Sequence, residues 1–174
     1  MLETERLVLR PWSLDDSRGF ARLAEDPQVM RTIGTGETWP EARRLAWLQK
    51  QTTRFDTLGY SFLAVIERTS GEVAGICGVQ QLGDKGLREI GWWVRSDRWG
   101  RGYATEAALA ARDWAFGALD IDRLDAIAVP GNSGSTHIMR KLGMHLVGEC
   151  EYTDLGGDVP GIPVVHYMML RPSC

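Results

Sequence analysis

At 174 residues, with 44% hydrophobic and 25% charged residues, the chain has the size and composition of a soluble globular protein with one sizeable core. Its formal net charge of −3 argues against general nucleic-acid binding. The three cysteines, Cys77, Cys150 and Cys174, show no C-x-x-C spacing and leave one unpaired in any disulfide scheme, which points to free thiols in a reducing compartment.

The opening MLETERLVLRPW is charged and alternating, unlike a signal peptide, and no apolar run approaches a membrane span, so a cytoplasmic location is expected. Leu7-Val8-Leu9 reads as a strand. Ser13 is a good N-cap, and Phe20, Leu23 and Ala24 give the short helix behind it an apolar face. Val29 and Met30 fall in a second short turn, and Ile33 to Trp39 is a loop. Pro40 suits the first position of a helix that Gly59 stops. Ala42, Leu45, Ala46, Leu48 and Phe55 are its expected buried face. Tyr60 to Ile66 and Val73 to Leu82 form a hairpin, with Gly75 and Gly78 marking a bulge or close packing. A turn through Gly83-Asp84-Lys85-Gly86 leads to the strand Glu89 to Arg95. The helix Gly102 to Gly117 carries small residues along one face, which suits close packing on a sheet. Leu124 to Val129 is a strand, a helix runs from Asn132 or Ser133 to Gly143, and Leu146 to Tyr152 and Val164 to Leu170 are the last strands. The expected class is mixed α/β (α+β): a single domain over residues 1–174, with a partly antiparallel sheet of about seven strands and helices on both faces.

Two stretches carry chemistry. In REIGWWVRSDRWGRGYAT a strand passes through Gly100-Arg101-Gly102 directly into a helix. The glycines allow close backbone approach, and the first amides of the helix have no partner inside it. Free N–H groups, the positive end of the helix and Arg101 together suit a diphosphate. A Walker A loop would need a lysine after the glycines, and a dinucleotide fingerprint would need a third glycine where Thr105 stands. The second stretch, NSGSTHIMRKLG, follows a strand, with Asn132 capping a helix and Ser135 in its first turn.

Taken together, W-G-R-G-Y-A-T-E-A, the N-x-x-S of Asn132 to Ser135, and R-K-L-G-M resemble the GNAT superfamily of acyl-CoA N-acyltransferases. The opening T-E-R-L-x-L-R-P and closing G-x-P-V-V-x-Y are similar to its RimJ/RimL-type branch, so the resemblance spans nearly the whole chain. Trp99 stands where the superfamily pattern prefers Gln or Arg, and Met144 where many members have Phe.

The resemblance implies a sheet splayed between its two central parallel strands, here Glu89–Arg95 and Leu124–Val129, with pantetheine added to the first as an extra strand would be. It implies acetyl-CoA as co-substrate; the spacing of the histidines predicts no metal. The coenzyme would be held by Trp93, Val94, Arg95, Gly100, Arg101, Gly102, Tyr103, Ala104 and Thr105, with Asn132 and Ser135 near the pantetheine arm. Amides near Trp93 or Val94 would polarise the thioester carbonyl, and Ser135 would assist the departing thiolate. The implied activity is acetyl transfer to a primary amine, a peptide N-terminus or a small molecule, by direct attack in a ternary complex. The implied partners are that amine and neither nucleic acid nor membrane; a homodimer is compatible with the family.

The amine must be neutral to attack. An α-amine with a pKa of about 8 is roughly a tenth free near neutrality, whereas a lysine amine at about 10.4 is free once in a few thousand. A carboxylate would take the proton. Glu149, Glu151 and Asp154 lie on or just after one strand; alternation puts Glu149 and Glu151 on the same face. Glu151, then Asp154, are the expected bases, and their charge would also attract a cationic acceptor. His166, Trp39, Tyr60 and Trp92 are candidates for the acceptor side. His137, His145 and His166 have no ligand-like spacing. Two other classes compete: a non-catalytic acyl-CoA-binding or sensor module, and a nucleotide-binding protein.

Overall fold

The sheet begins with two antiparallel strands, β1 (Leu2–Glu3) and β2 (Leu7–Arg10). A Ser13–Asp16 capping box turns the chain away from it, and Arg10 braces the turn with a bidentate contact to Asp16. Helices α1 (Ser17–Ala24), α2 (Pro27–Met30) and α3 (Glu41–Leu58) follow. Strands β3 (Phe62–Glu67), β4 (Val73–Leu82) and β5 (Leu87–Val94) then extend the sheet antiparallel. Helix α4 (Tyr103–Ala118) leads to β6 (Arg123–Ala128), α5 (Ser133–Lys141) to β7 (His145–Glu151), and β8 (Pro163–Leu170) closes the fold. This computed structural model describes residues 1–83, 85–157 and 159–172. Asp84 of the second expected turn and Cys174 lie outside the described residues.

The strand order is β1-β2-β3-β4-β5-β6-β8-β7, eight strands rather than about seven. The additional one, β1, has two residues, too short to show alternation. Pairing is antiparallel throughout except between β5 and β6, which run parallel and share a single register pair, Glu89 with Asp125. Beyond that pair the two strands part.

Helices cover both faces. Along β4, Ile76 packs with Trp12, Phe20, Leu23 and Leu48 on one face, while the next residue, Cys77, packs with Ala107, Ala111 and Ala115 of α4 on the other. The small stripe of α4 therefore lies on the sheet, as its composition predicts. Gly75 marks a bulge between Val65 and Ile66, where a side chain would drive its Cβ to 2.3 Å from the carbonyl oxygen of Trp93.

Helix α3 departs from expectation. Leu48 and Gln51 are its buried residues, whereas Leu45 is 41% exposed and Ala42 and Ala46 are also exposed. The helix leans on α1 and the aromatic cluster along a narrow edge and turns another stripe to an open cleft. Its buried glutamine accepts a hydrogen bond from the Phe62 amide at 3.2 Å. Pro40 sits just ahead of the helix as its N-cap, and Gly59 ends it in the left-handed conformation.

Candidate active site

The glycine turn is built as the sequence suggests. Gly100 and Gly102 adopt φ of 75° and 79°, and Gly102 caps α4 without any side-chain hydrogen bond. The amides of Tyr103, Ala104 and Thr105 donate no hydrogen bond among the described residues. Arg6, from the opening motif, fixes this end of the helix. Its Nε donates to Glu106 Oε2 at 2.7 Å, its Nη1 donates to the Arg101 carbonyl at 2.8 Å, and its guanidinium lies 5.0 Å from the Tyr103 ring centroid. With that carbonyl pinned, the turn's free amides are held in place for an anion.

Beneath the turn lies a carboxylate hub. Glu67 accepts from Tyr103 Oη at 2.6 Å and from Ser70 Oγ at 2.7 Å. The Tyr103 and Ser70 hydrogen bonds, with Arg98 nearby, hold its carboxyl down to about 2. Arg101 remains half exposed, 3.6 Å from Glu67, with much of its guanidinium directed to solvent.

The gap between β5 and β6 supplies the second part. The Arg95 amide donates to the Ala74 carbonyl at 2.9 Å, so backbone groups of Arg95, Trp93 and Gly91 face β4. Those of Trp92 and Val94 therefore point across the gap. The Val94 carbonyl is engaged by the Trp99 indole at 2.8 Å, which leaves the Val94 amide directed at the gap. Trp99 thus clamps the strand end.

A cleft of about 580 Å³ runs from this gap to α3. Trp39, Trp47, Trp92 and Trp93 line it, and so do Asn132 and Ser135 from the start of α5. Asn132 Oδ1 accepts from the Ser135 amide at 3.1 Å, while the Ser135 hydroxyl makes no hydrogen bond among the described residues. Because α4 follows β5 and α5 follows β6, both helix N-termini sit at the C-terminal edge of the parallel pair.

Glu89, at the closed end of the gap, also lines the cleft. Gln80 Nε2 donates to its Oε2 at 2.9 Å, and Arg54 Nη1 donates to the other end of the same Gln80 side chain at 2.7 Å. Burial pushes the Glu89 carboxyl up to about 7; Gln80 and Arg54 oppose that rise, and Asp125 across the strands adds to it. Asp125 is itself held by Arg123 and by His166 Nε2 at 2.7 Å.

The sequence-based site residues divide accordingly. Trp93, Asn132 and Ser135 line the cleft; Val94 ends β5, and Gly100, Arg101, Gly102, Tyr103, Ala104 and Thr105 form the turn and the start of α4, outside the cleft lining. Arg95 does not belong there. It is 3% exposed, with its side chain bound to Glu72 and Asp97 and its amide to β4. Of the two strand amides, Trp93 is turned to β4 and Val94 to the gap. Tyr103 is buried against Glu67, so it has only its backbone to offer a ligand. Glu151 and Asp154 are exposed and outside the cleft lining, tied to each other in a capping box. Glu149 is exposed on the same face. His166 is buried on Asp125, and Tyr60 lies under Arg88, while Trp39 and Trp92 do reach the cleft. Sequence reasoning missed Glu89, whose signal was a lone acid beside Gly91 and Trp93 on one face of an otherwise apolar central strand.

Residues 6–145 match the model of an acetyltransferase (GNAT) domain. The chain belongs to the GNAT acetyltransferase family. The Bacillus subtilis protein YkkB, itself uncharacterised, is 32% identical over 148 residues, covering 83% of this chain and 84% of that one. A crystal structure of a GNAT acetyltransferase from Bacillus anthracis superposes with a TM-score of 0.80 at 24% identity, covering 97% of each chain. A RimL ribosomal L7/L12 α-N-protein acetyltransferase in complex with coenzyme A superposes with a TM-score of 0.77 at 15% identity, covering 96% of this chain and 95% of that one, a likeness of fold. The GNAT assignment agrees with the splayed strands and the uncapped α4 N-terminus. No helix of the described residues is long and apolar enough to cross a membrane.

Proposed function

We propose that this GNAT protein, as one domain spanning residues 1–174, transfers the acetyl group of acetyl-CoA to a primary amine by direct attack. The observation that carries the reading is Glu89, a partly buried carboxyl in the wall of a cleft that opens from the splayed strands, hydrogen-bonded to Gln80 and pushed up to about 7 by desolvation. A group poised near neutrality can take a proton from the bound ammonium, freeing the amine to attack, and release it again.

In this reading the diphosphate of the coenzyme rests on the amides of Tyr103, Ala104 and Thr105, with Gly102 giving room and Arg101 a countercharge. The arm adds to β5, where the Val94 amide stabilises charge developing on the carbonyl oxygen. Glu89 removes the amine proton, directly or through a water. The amine nitrogen bonds to the acetyl carbon, the C–S bond breaks, and the Ser135 hydroxyl donates a hydrogen bond to the departing thiolate. The cleft is lined by no cysteine among the described residues. Cys77 is fully buried, with its thiol pushed up by burial, and Cys150 lies on β7 with its thiol also raised. Neither suits an acyl-enzyme route.

Initial rates with both substrates varied test the order of events. Intersecting double-reciprocal lines are expected for a ternary complex; parallel lines would mean an acyl-enzyme and refute the direct route.

A further inference from the structure

The cleft wall opposite β5 is one stripe of α3. Arg43, Trp47, Lys50 and Arg54 recur at spacings of four, three and four and all line the cleft. Among the described lining residues Glu89 is the one acid. None of the three cations pairs with a carboxylate among the described residues. Arg43 lies 4.4 Å from the Trp39 ring centroid, and Arg54 holds the neutral Gln80. By contrast Arg44, on another side of the helix, meets Glu25 at 2.6 Å, and the helix's own acids Glu41 and Asp56 stay out of the cleft. A chain of formal charge −3 thus gathers three cations and one acid in the cleft, with Arg54 acting on Glu89 and Arg43 and Lys50 in no ion pair among the described residues. This reverses the expectation of an acidic, cation-attracting acceptor side.

Building on the acetyl-transfer reading, we propose that the acceptor is the α-amine of an acidic peptide N-terminus. Along a helix, Lys50 lies about 6 Å from Arg54, and Arg43 about 10 Å further on. An extended peptide advances about 3.3 Å per residue. With its amine at Glu89, acidic side chains at roughly the second to fifth positions meet Lys50 and then Arg43. A polyamine would set ammonium groups against the same cations, and a free amino acid would reach only the Arg54 end.

The test compares peptides that share a first residue and carry Asp, Ser or Lys at positions two to four, together with spermidine and the free amino acid. The Asp series is expected to exceed the Ser series by about tenfold in kcat/KM and the Lys series by about a hundredfold. The difference should lie in KM and shrink in high salt. Lys50→Glu should invert the Asp-to-Lys ranking, while Arg18→Glu, the same charge change on exposed α1, should leave it intact. Wild-type preference for Lys peptides or spermidine, equal use of the free amino acid, or an unaltered ranking in Lys50→Glu would each overturn the inference while leaving acetyl transfer standing. Coenzyme A binding by calorimetry with no amine acetylated would overturn the acetyl-transfer reading itself, and this inference with it.

Discussion

Replacing Glu89 by Gln keeps the side chain's shape and its place beside Gln80 while removing the ionisable oxygen. A well-placed general base contributes typically two to four orders of magnitude in rate, so the variant's kcat near neutrality should fall by about a hundredfold or more. The pH dependence gives a sharper signature. Wild-type rate should rise tenfold per pH unit on the acid side and bend at about 7, where Glu89 ionises; the variant should lose that bend and keep the one set by the acceptor amine. Stability carries an independent sign. The folded carboxyl titrates at about 7 against 4.5 unperturbed, so the folded state holds its proton more tightly. Its contribution is therefore fully present below about 4.5 and is lost as pH rises through 7, a change of up to about 3 kcal/mol. Glu89→Gln removes that slope, and the variant should gain stability relative to wild type on going from about pH 5 to pH 8. The assays are pH–rate profiles at saturating acetyl-CoA and urea melts at the two pH values. A variant with wild-type rate and an unmoved bend near 7 would refute the assignment of the base.

Gly102→Val places a branched side chain at φ 79°, where L-residues are strained, beside the free amides. Calorimetry should show coenzyme A affinity at least tenfold weaker, and unchanged affinity in a folded variant would remove the diphosphate from this turn. Ser135→Ala should lower kcat by about ten- to a hundredfold with little change in coenzyme A affinity, since Asn132 still caps α5; wild-type turnover would leave Ser135 a helix-start residue only. Glu151→Gln and Asp154→Asn should keep the wild-type pH–rate profile and nearly wild-type stability, since each amide oxygen still accepts its capping-box hydrogen bond; a rate loss in either variant would return that residue to the proton path.

Much of this was legible from local pattern. The apolar runs of LVLR and LAVIE, the left-handed glycines at 59 and 102, the alanine stripe of α4 and the Asn132 cap are short-range features, and the structure builds them as strands, turns and helix ends. The misreadings are long-range. Nothing near Glu151 and Asp154 in sequence reveals that each satisfies the other's end of a turn. Arg95 looks like a strand-end cation until Glu72 and Asp97, brought together by a hairpin and a turn, close around it. The apolar residues of α3 suggest a broad buried face, yet the helix borders an open cleft, and its basic stripe carries the information instead. Glu89 becomes significant only once β6 brings Asp125 beside it and α3 brings Arg54 to Gln80.

The central claim is tested most directly by incubating the wild-type protein with acetyl-CoA and an acidic peptide, and quantifying free coenzyme A thiol and N-acetylated peptide in the same sample. The account predicts the two in equal amounts, both dependent on the peptide. Thiol released without acetylated peptide, or neither product despite bound coenzyme A, would contradict it.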